Sequence, residues 1–373
     1  MTLQIVLDDS LSPLLRDAAE VAQPGPGQVR VRVIRAGINF WEVMQRRGRV
    51  PLPEHRIPGS EGVGVIDAVG EDVARLSVGQ RVAWSKVPGS YAQTVVGPAD
   101  AFARVPDGVA DEVAAAVLFQ GATAYYLAHD AWHLTVGDVA VVTAAAGGVG
   151  VLLTQLLTSA GVQVVGVVSS PAKAEVAQRA GAAQVFTYGE DLVDAIRGVA
   201  PQGVAVVYDA VGAGVAEPLL GVLRPRGAMV LYGSASGQDA DICAKDLGGG
   251  SLFLTRAAGR HYAGDAHAAA ERAALLLDLA ARGCCARNWE RSTRWPRPAQ
   301  RWTPWSRGPR WANCCWCPER DPGQPEVRSA AAHAAAMTSA SVTRPMCREI
   351  IARAASSSSL LVPRTRSAGT ATR

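Results

Sequence analysis

Cysteine is almost absent from most of this 373-residue sequence, and its absence excludes one kind of metal site. Only Cys243 precedes residue 284, so residues 1–242 contain no cysteine. A zinc ion held by four clustered cysteines is therefore excluded there. The chain also lacks an uninterrupted apolar run of about 18 residues, which a membrane-spanning helix needs. Because residues 1–10 show no basic segment followed by an apolar one, we predict a cytoplasmic protein without a secretory leader.

Lysine is also scarce, with 3 residues against 34 arginines, and the charge divides unevenly along the chain. Residues 284–373 hold 15 arginines, no lysine and 5 acidic residues, a net charge of +10. The other residues comprise 22 basic and 28 acidic ones, a net charge of −6. The sequence pI of 8.7 thus comes from the end of the chain, and it does not indicate nucleic-acid binding.

Chain length and a hydrophobic content of 49% predict two domains. Short β-rich runs such as 29–34 and 63–69 indicate a mostly-β domain over residues 1–117. Residues 118–250 alternate helical stretches with buried strands, at 139–143, 162–168, 185–187, 204–208 and 229–232. This alternation predicts an α/β fold with a doubly wound parallel sheet. We expect residues 251–283, with a strand at 251–255 and a helix at 266–281, to return to the first domain.

A run of small residues, AAAGGVG at 144–150, lies between the strand 139–143 and a predicted helix 151–160. Ala145, Gly147 and Gly150 fit the three small positions of a dinucleotide-binding turn. In such a turn the pyrophosphate binds the unpaired N–H groups of the helix start, which here includes Gly148 and Val149. An ordinary tight turn between strand and helix is the alternative.

The residues that follow the second strand, 162–168, indicate which dinucleotide binds. NAD sites usually have an acidic residue there, whereas this chain has Ser169, Ser170 and Lys173. Hydroxyls and an ammonium group suit the 2′-phosphate of NADPH, since hydrogen bonds to charged groups contribute about 1.5 to 3 kcal/mol each. Alternatively, Lys173 is a solvated residue at a helix start, and the serines cap that helix.

Seven collinear motifs carry a family resemblance over about residues 25 to 283. They are GINFWEVMQRRG (37–48), PGSEGVGV (58–65), QGATAYYL (120–127), AAAGGVG (144–150), VVYDAVG (206–212), PRGAMVLYGSASG (225–237) and SLFLTR (251–256). Together they resemble the zinc-independent, zeta-crystallin-like quinone oxidoreductase branch of the medium-chain dehydrogenase/reductase superfamily. The resemblance implies a GroES-like catalytic domain, a Rossmann domain and NADPH as the hydride donor.

The resemblance also implies which residues form the site. Asn39, Thr123 and Tyr126 would lie along the nicotinamide, with Asn39 and Thr123 as catalytic residues. The remaining implied contacts are Ser169, Ser170, Lys173 and Tyr188 for the 2′-phosphate, and Gly233, Ser234, Phe253 and Thr255 for the nicotinamide end. For Tyr126 and Phe253, core packing is the alternative.

Zinc-dependent relatives have catalytic Cys and His ligands where this chain has Asn39 and Ser60, so we predict that no metal is bound. We interpret the neighbouring Glu61 as a structural hydrogen-bonding residue.

The resemblance implies hydride transfer to a quinone or another conjugated carbonyl or alkene. Many family members have tyrosines within the segment 43–51, where this chain has Met44 and Val50, so an enone fits as well as a quinone. An enoyl-thioester reductase and a catalytically impaired NADPH-binding protein are the alternatives. A homodimer is expected, because dimers are common in the family.

Residues 284–373 show no helical or strand period, and we interpret them as a poorly ordered tail translated out of frame. A second reading frame is obtained when the third base of each codon is read with the first two bases of the next codon. Over codons 311–319 this frame encodes Gly, then Lys, Gln or Glu, then Leu-Leu-Leu-Val, then Pro or Ser, and it permits a stop codon after that. The family's last strand typically ends in this way. One base lost, or two gained, near codons 282–283 explains the excess of Trp, Cys and Arg. A genuine lineage-specific tail is the alternative.

Overall fold

An antiparallel sheet forms the amino-terminal part of the structure, a computed structural model that describes residues 2–18, 21–262, 264–283, 292–294 and 315–317. The elements of this part are β1 (Thr2–Leu7), β2 (Pro13–Ala18), β3 (Gln28–Gly37), α1 (Phe40–Arg46), β4 (Glu61–Val69), β5 (Arg81–Ser85), β6 (Thr94–Pro98) and β7 (Ala103–Arg104). Strands β1 and β2 form a separate two-stranded sheet, and β3 to β7 belong to one larger sheet. In β3 the buried Val29, Val31 and Val33 alternate with more exposed residues. This alternation is why the segment forms a strand with one face in the core.

A six-stranded parallel sheet follows, and it confirms the predicted doubly wound fold. Its strands are β8 (Val139–Thr143), β9 (Gln163–Val168), β10 (Gln184–Thr187), β11 (Val204–Asp209), β12 (Leu223–Leu231) and β13 (Phe253–Arg256). The strand order is β10-β9-β8-β11-β12-β13, so the chain adds strands outward on one side of β8 and then, from β11, outward on the other side. The strand order therefore reverses between β8 and β11. Ligands of such sheets bind in the crevice outside the carboxyl ends of the strands at this reversal.

Nine α-helices are described, and at least four of them pack against strands of the parallel sheet. In addition to α1 they are α2 (Asp111–Tyr126), α3 (Gly148–Ser159), α4 (Ala174–Arg179), α5 (Leu192–Val199), α6 (Ala216–Leu219), α7 (Ala244–Gly248), α8 (Gly259–Tyr262) and α9 (Ala266–Ala281). Within the described residues, no helix has the length and apolar character needed to cross a membrane.

Helix α2 belongs to both cores. Residues 114–118 lie in a cluster with Leu276 and Leu277 of α9, beneath the antiparallel sheet. Tyr125 and Tyr126, at the other end of the helix, lie in the core of the parallel sheet. The predicted domain boundary between residues 117 and 118 therefore falls inside one continuous helix.

Two predicted boundaries need correction. Of residues 251–283, predicted to return to the first domain, β13 instead pairs in parallel with β12 and is the edge strand of the six-stranded sheet. Helix α9 packs beneath the antiparallel sheet. Residues beyond 283 supply two short strands that no sequence period indicated, β14 (Ser292–Arg294) and β15 (Cys315–Cys317). Strand β15 pairs antiparallel with β3, and β14 pairs with β15. The rest of the predicted tail lies outside the described residues.

Candidate functional site

The loop between β8 and α3 has the geometry that a pyrophosphate requires. Gly147 is the N-cap of α3, and no described side chain caps the helix, whose first residues are Gly148 and Val149. Backbone N–H groups at a helix start have no partner within the helix, so they can bind an anion. A Cβ at Gly150 would lie 2.4 Å from the carbonyl oxygen of Ala144, so only glycine allows α3 to pack this closely on the loop. The residues present therefore fit a dinucleotide phosphate.

Tyr188 supports this loop. Its hydroxyl accepts a hydrogen bond from the N–H of Ala144 at 2.7 Å. The next residue, Ala145, is fully buried and donates its N–H to the carbonyl of Val167 at 3.0 Å. Burial raises the pKa of Tyr188 to about 12, so the hydroxyl is neutral near pH 7. The Tyr188 hydroxyl therefore contacts the glycine-rich loop, and its contact with the 2′-phosphate, which the family resemblance implies, stays a prediction.

A polar cluster lies at the carboxyl end of β9. The ammonium group of Lys173 donates to the hydroxyl of Ser169 at 2.8 Å. Ser170 is the N-cap of the short 3-10 turn Pro171–Lys173, which brings the lysine back toward the strand end. Ser169 is exposed, and Ser170 and Lys173 are partly exposed, so a ligand can reach all three.

Asp209, at the end of β11, lies at this edge of the sheet and was not among the predicted site residues. Its fully buried carboxylate accepts hydrogen bonds from the hydroxyl of Thr143 at 2.8 Å and from the N–H of Gly212 at 2.7 Å. Burial raises the pKa of this carboxyl. Asp209 joins the loops after β8 and β11 at the point where the strand order reverses. An acidic residue ending an otherwise apolar strand was the signal that could have found it.

Gly233 and Ser234 follow β12 at the same edge. A Cβ at Gly233 would lie 2.5 Å from the carbonyl oxygen of Ala210, so glycine is needed where the two loops approach. Ser234 is partly exposed beside it, and Thr255 is paired with Val230 near the end of β13. These predicted residues therefore lie at or near the carboxyl ends of neighbouring strands.

The structure does not bring Phe253 into this group. Phe253 is the first residue of β13, so it lies at the amino end of a parallel strand, opposite to the edge that carries Gly233. Its ring is 49% exposed and packs on Trp132 with centroids 5.2 Å apart.

Asn39 lies in a buried hydrogen-bonded network next to α1. Its backbone N–H donates to Oε2 of Glu42 at 2.8 Å, and its Nδ2 donates to Oε1 of Glu61 at 2.7 Å. The amide oxygen of Asn39 accepts from Nε2 of Gln120 at 2.8 Å. Donors and acceptors on three elements therefore fix the orientation of the Asn39 amide, and Glu42 and Gln120 are members that sequence reasoning missed.

Two carboxyl groups of this network are fully buried. The second oxygen of Glu61 accepts the N–H of Phe119 at 2.7 Å. The second oxygen of Glu42 is 3.0 Å from the hydroxyl of Ser60. Burial, with a smaller contribution from the charge of Glu61, raises the pKa of Glu42 to about 8. Glu42 is therefore mostly protonated at neutral pH.

Thr123 and Tyr126 lie on consecutive turns of α2. The hydroxyl of Thr123 donates to the carbonyl of Phe119 at 3.2 Å. The ring of Tyr126 stacks on Tyr262 with centroids 4.6 Å apart, and its hydroxyl donates to the carbonyl of Ala257 at 3.4 Å. Tyr126 is only 4% exposed, so it packs in the core as well as bordering the carboxyl end of β13.

One hydrogen bond joins the two domains at the loops. Arg49, which follows α1, donates from Nη1 to the carbonyl of Gly237 after β12 at 2.9 Å.

The metal-ligand positions of zinc-dependent relatives hold Asn39 and Ser60 in this chain, and the Asn39 amide is already hydrogen-bonded to Glu61 and Gln120. In the described part of the chain, no three His, Cys, Asp or Glu side chains form a cluster that could hold a metal ion.

Two family models match the chain. Residues 25–136 match the alcohol dehydrogenase GroES-like domain, and residues 148–273 match the zinc-binding dehydrogenase domain. The second description names zinc, but its match covers mainly the parallel sheet and its helices.

Individual proteins give a closer comparison. The quinone oxidoreductase of Pseudomonas aeruginosa is 39% identical over 242 residues, which is 63% of this chain and 74% of that protein. The 2-haloacrylate reductase of a Burkholderia species is 36% identical over 279 residues, 72% of this chain and 84% of that protein. The crystal structure of Escherichia coli quinone oxidoreductase complexed with NADPH is 29% identical, with a TM-score of 0.72 over 79% of this chain and 93% of that one. With these matches, the described fold and the seven collinear motifs, the chain belongs to the quinone oxidoreductase branch of the medium-chain dehydrogenase/reductase superfamily.

Proposed function

We propose that this chain is an NADPH-dependent oxidoreductase that reduces a quinone or another conjugated carbonyl or alkene. The observation that carries the cofactor assignment is the Lys173–Ser169 pair at the carboxyl end of β9, where an acidic residue would favour NAD. The related Escherichia coli enzyme was solved with NADPH, which supports the same cofactor here. Bound NADPH would supply a hydride from C4 of its nicotinamide.

The chain's own residues would bind and orient the cofactor. The N–H groups at the start of α3 would hold the pyrophosphate, and Ser169, Ser170 and Lys173 would hold the 2′-phosphate. Asn39 would lie beside the nicotinamide, oriented by the buried network around Glu61. This division leaves redox chemistry to the cofactor and leaves orientation and exclusion of water to the protein.

Replacing Lys173 by alanine tests the cofactor assignment. Loss of a charged hydrogen bond worth about 1.5 to 3 kcal/mol should raise the Kd for NADPH roughly 10- to 150-fold. The Kd for NADH should stay the same, because NADH has no 2′-phosphate. Lys245, an exposed lysine of α7, provides the matched control variant Lys245→Ala. Both constants are measured from the fluorescence of the bound nicotinamide. Equal losses for NADPH and NADH, or tighter binding of NADH by the unmodified chain, would contradict the assignment.

The acceptor is proposed as an activated alkene or a quinone, since one relative of the chain is a quinone oxidoreductase and another a 2-haloacrylate reductase. NADPH oxidation with a panel of quinones and enones, compared with crotonyl-CoA, separates this activity from that of an enoyl-thioester reductase. NADPH binding without oxidation by any acceptor would indicate a catalytically impaired binding protein.

We also propose that residues 284–373 are translated out of frame. The overlapping frame encodes Leu-Leu-Leu-Val across codons 313–317, and the backbone of β15 (Cys315–Cys317) pairs there with β3 next to Gly37. An apolar strand in this position would complete the antiparallel sheet beside the Asn39 network. Sequencing the gene across codons 275–320 tests the proposal directly.

We further propose a cytoplasmic homodimer. The strand β13 is the edge of the parallel sheet and carries the half-exposed ring of Phe253, so a second copy could extend the sheet from this edge. Light scattering of the purified chain and fractionation of the source cells test the two parts of this proposal.

A further inference from the structure

Glu42 and Glu61 form a buried pair of carboxyl groups, and orienting the Asn39 amide does not require both of them. Both carboxyl groups are fully buried, and one backbone N–H and one side-chain N–H of Asn39 bridge them. Burying two negative charges this close together is unfavourable, and the usual solution is that one group keeps a proton.

The hydrogen-bond partners show which oxygen can carry that proton. Each oxygen of Glu61 accepts from an N–H group, of Asn39 and of Phe119. One oxygen of Glu42, Oε2, also accepts from an N–H. The other, Oε1, has a hydroxyl partner instead, Ser60 at 3.0 Å, and a hydroxyl can accept as well as donate. The Ser60 hydroxyl donates to Oε1 when Glu42 is ionised. When the pair holds a proton, Oε1 of Glu42 is the oxygen whose partner can accept it.

Ser60 connects the buried Glu42 carboxyl to the part of the network that solvent can reach. Glu42 is fully buried and Asn39 is 4% exposed, whereas Ser60 is partly exposed. Its backbone is fixed, because its carbonyl accepts the N–H of Lys86 at 2.7 Å and a Cβ on the preceding Gly59 would meet Tyr91 at 2.5 Å. With its Oγ accepting from Glu42, Ser60 can direct its own hydroxyl proton away from the carboxyl.

We infer that Ser60 and Glu42 form the proton-delivery relay of the reductase, with Ser60 as the donor to the acceptor molecule and Glu42 as the acid behind it. The inference rests on the proposed function, which supplies the hydride from NADPH. Bound NADPH would supply a hydride to the β-carbon of an enone, with its C4–H bond broken and a new C–H bond formed on the enone. The resulting enolate would take the proton of Ser60, and Ser60 would take the proton of Glu42 Oε1. Solvent would then return a proton to Glu42 through the partly exposed Ser60 hydroxyl.

Three variants test the relay. Ser60→Ala removes the donor, and Ser60→Thr restores a hydroxyl. Glu42→Gln removes the acid but keeps an oxygen that can accept from the N–H of Asn39. Glu71→Gln, at an exposed residue of the same domain, is the matched control. General acid catalysis contributes roughly 10²- to 10⁴-fold, so kcat with an enone should fall by that range in Ser60→Ala and Glu42→Gln, with the KM for NADPH preserved. Ser60→Thr should recover most of the loss.

The pH dependence separates a relay from a structural role. Because the acid acts when protonated, kcat of the unmodified chain should fall as pH rises through about 8, the pKa that burial and the charge of Glu61 give to Glu42. This alkaline limb should disappear in Glu42→Gln. A general loss of kcat with an unchanged pH profile would overturn the relay.

A second readout needs neither cofactor nor turnover. The infrared carbonyl stretch of a protonated carboxyl should be present in the unmodified chain at neutral pH, lost above about 8, absent from Glu42→Gln and retained in Glu71→Gln. Identical spectra for the chain and Glu42→Gln would overturn the relay alone and leave the proposed function intact. A full chain that oxidises no NADPH with any acceptor would overturn the proposed function and the relay together.

Discussion

Replacing Glu42 by glutamine should change how the stability of the protein depends on pH. Glu42 is fully buried, and its pKa rises from an ordinary value of 4.5 to about 8. Between these two pH values the unfolded chain releases a proton that the folded chain keeps. The folded state therefore loses stability as pH rises through this interval, and the loss is complete above about 8.

The magnitude follows from the interval between the two pKa values. At 1.36 kcal/mol for each pKa unit, the change from 4.5 to about 8 corresponds to about 5 kcal/mol. A domain has a total stability of about 5 to 15 kcal/mol, so this is a large share. Glutamine is uncharged throughout, so Glu42→Gln should lack this decline and should become the more stable protein relative to the unmodified chain at alkaline pH.

Urea unfolding at a series of pH values between 4.5 and about 8 measures the effect. The quantity of interest is the difference in unfolding free energy between Glu42→Gln and the unmodified chain, because other titrating groups, Asp209 among them, cancel in that difference. We expect the difference to change steadily in favour of glutamine. If the unfolding free energies of Glu42→Gln and the unmodified chain ran parallel with pH, the assignment of a proton to Glu42 would be refuted. Glu71→Gln, at an exposed site, is the control and should run parallel to the unmodified chain.

Two further predictions concern the phosphate loop and the end of the chain. Gly150→Ala should weaken NADPH binding and lower the unfolding free energy by about 1 to 3 kcal/mol, because the added Cβ would lie 2.4 Å from a carbonyl oxygen. Gly198→Ala is the control, because Gly198 lies in a helix and no atom is within 4 Å of the added Cβ. This second variant should stabilise the folded protein slightly. Calorimetric titration and urea unfolding separate the two variants. A chain restored to the other frame after codon 283 should give more soluble protein and higher NADPH oxidation than the unrestored chain, and equal values would contradict the frame change.

The doubly wound sheet could be predicted closely because its strands are continuous apolar runs bounded by glycine. The strand predicted at 139–143 agrees with β8 (Val139–Thr143) at both ends, and the helix predicted at 266–281 agrees with α9. The edge strand β13 was assigned to the wrong domain, because a short strand followed by a helix does not show which sheet it joins.

The candidate site was predictable only where local sequence determines it. The small residues 144–150 and the pair Ser169 and Lys173 act through adjacent backbone or a nearby side chain, so their spacing is informative. Glu42 lies three residues after Asn39 and forms a capping box with it, a local pattern that could have been found in the sequence. Gln120 lies 81 positions from Asn39, and no local pattern encodes that pairing. The hydrogen bond between Tyr188 and Ala144 also joins distant residues, 44 positions apart, so local sequence does not indicate it.

The single helix α2 limits how the cleft can open. The N–H of Phe119, halfway along the helix, holds Glu61, while Tyr126 at its end stacks in the other core. A rigid rotation of one domain that carried α2 with it would pull Phe119 away from Glu61 and break one of the hydrogen bonds to this buried carboxylate. Cofactor entry should therefore use movements of the loops, such as release of Arg49 from Gly237, and the two cores should melt as one cooperative unit.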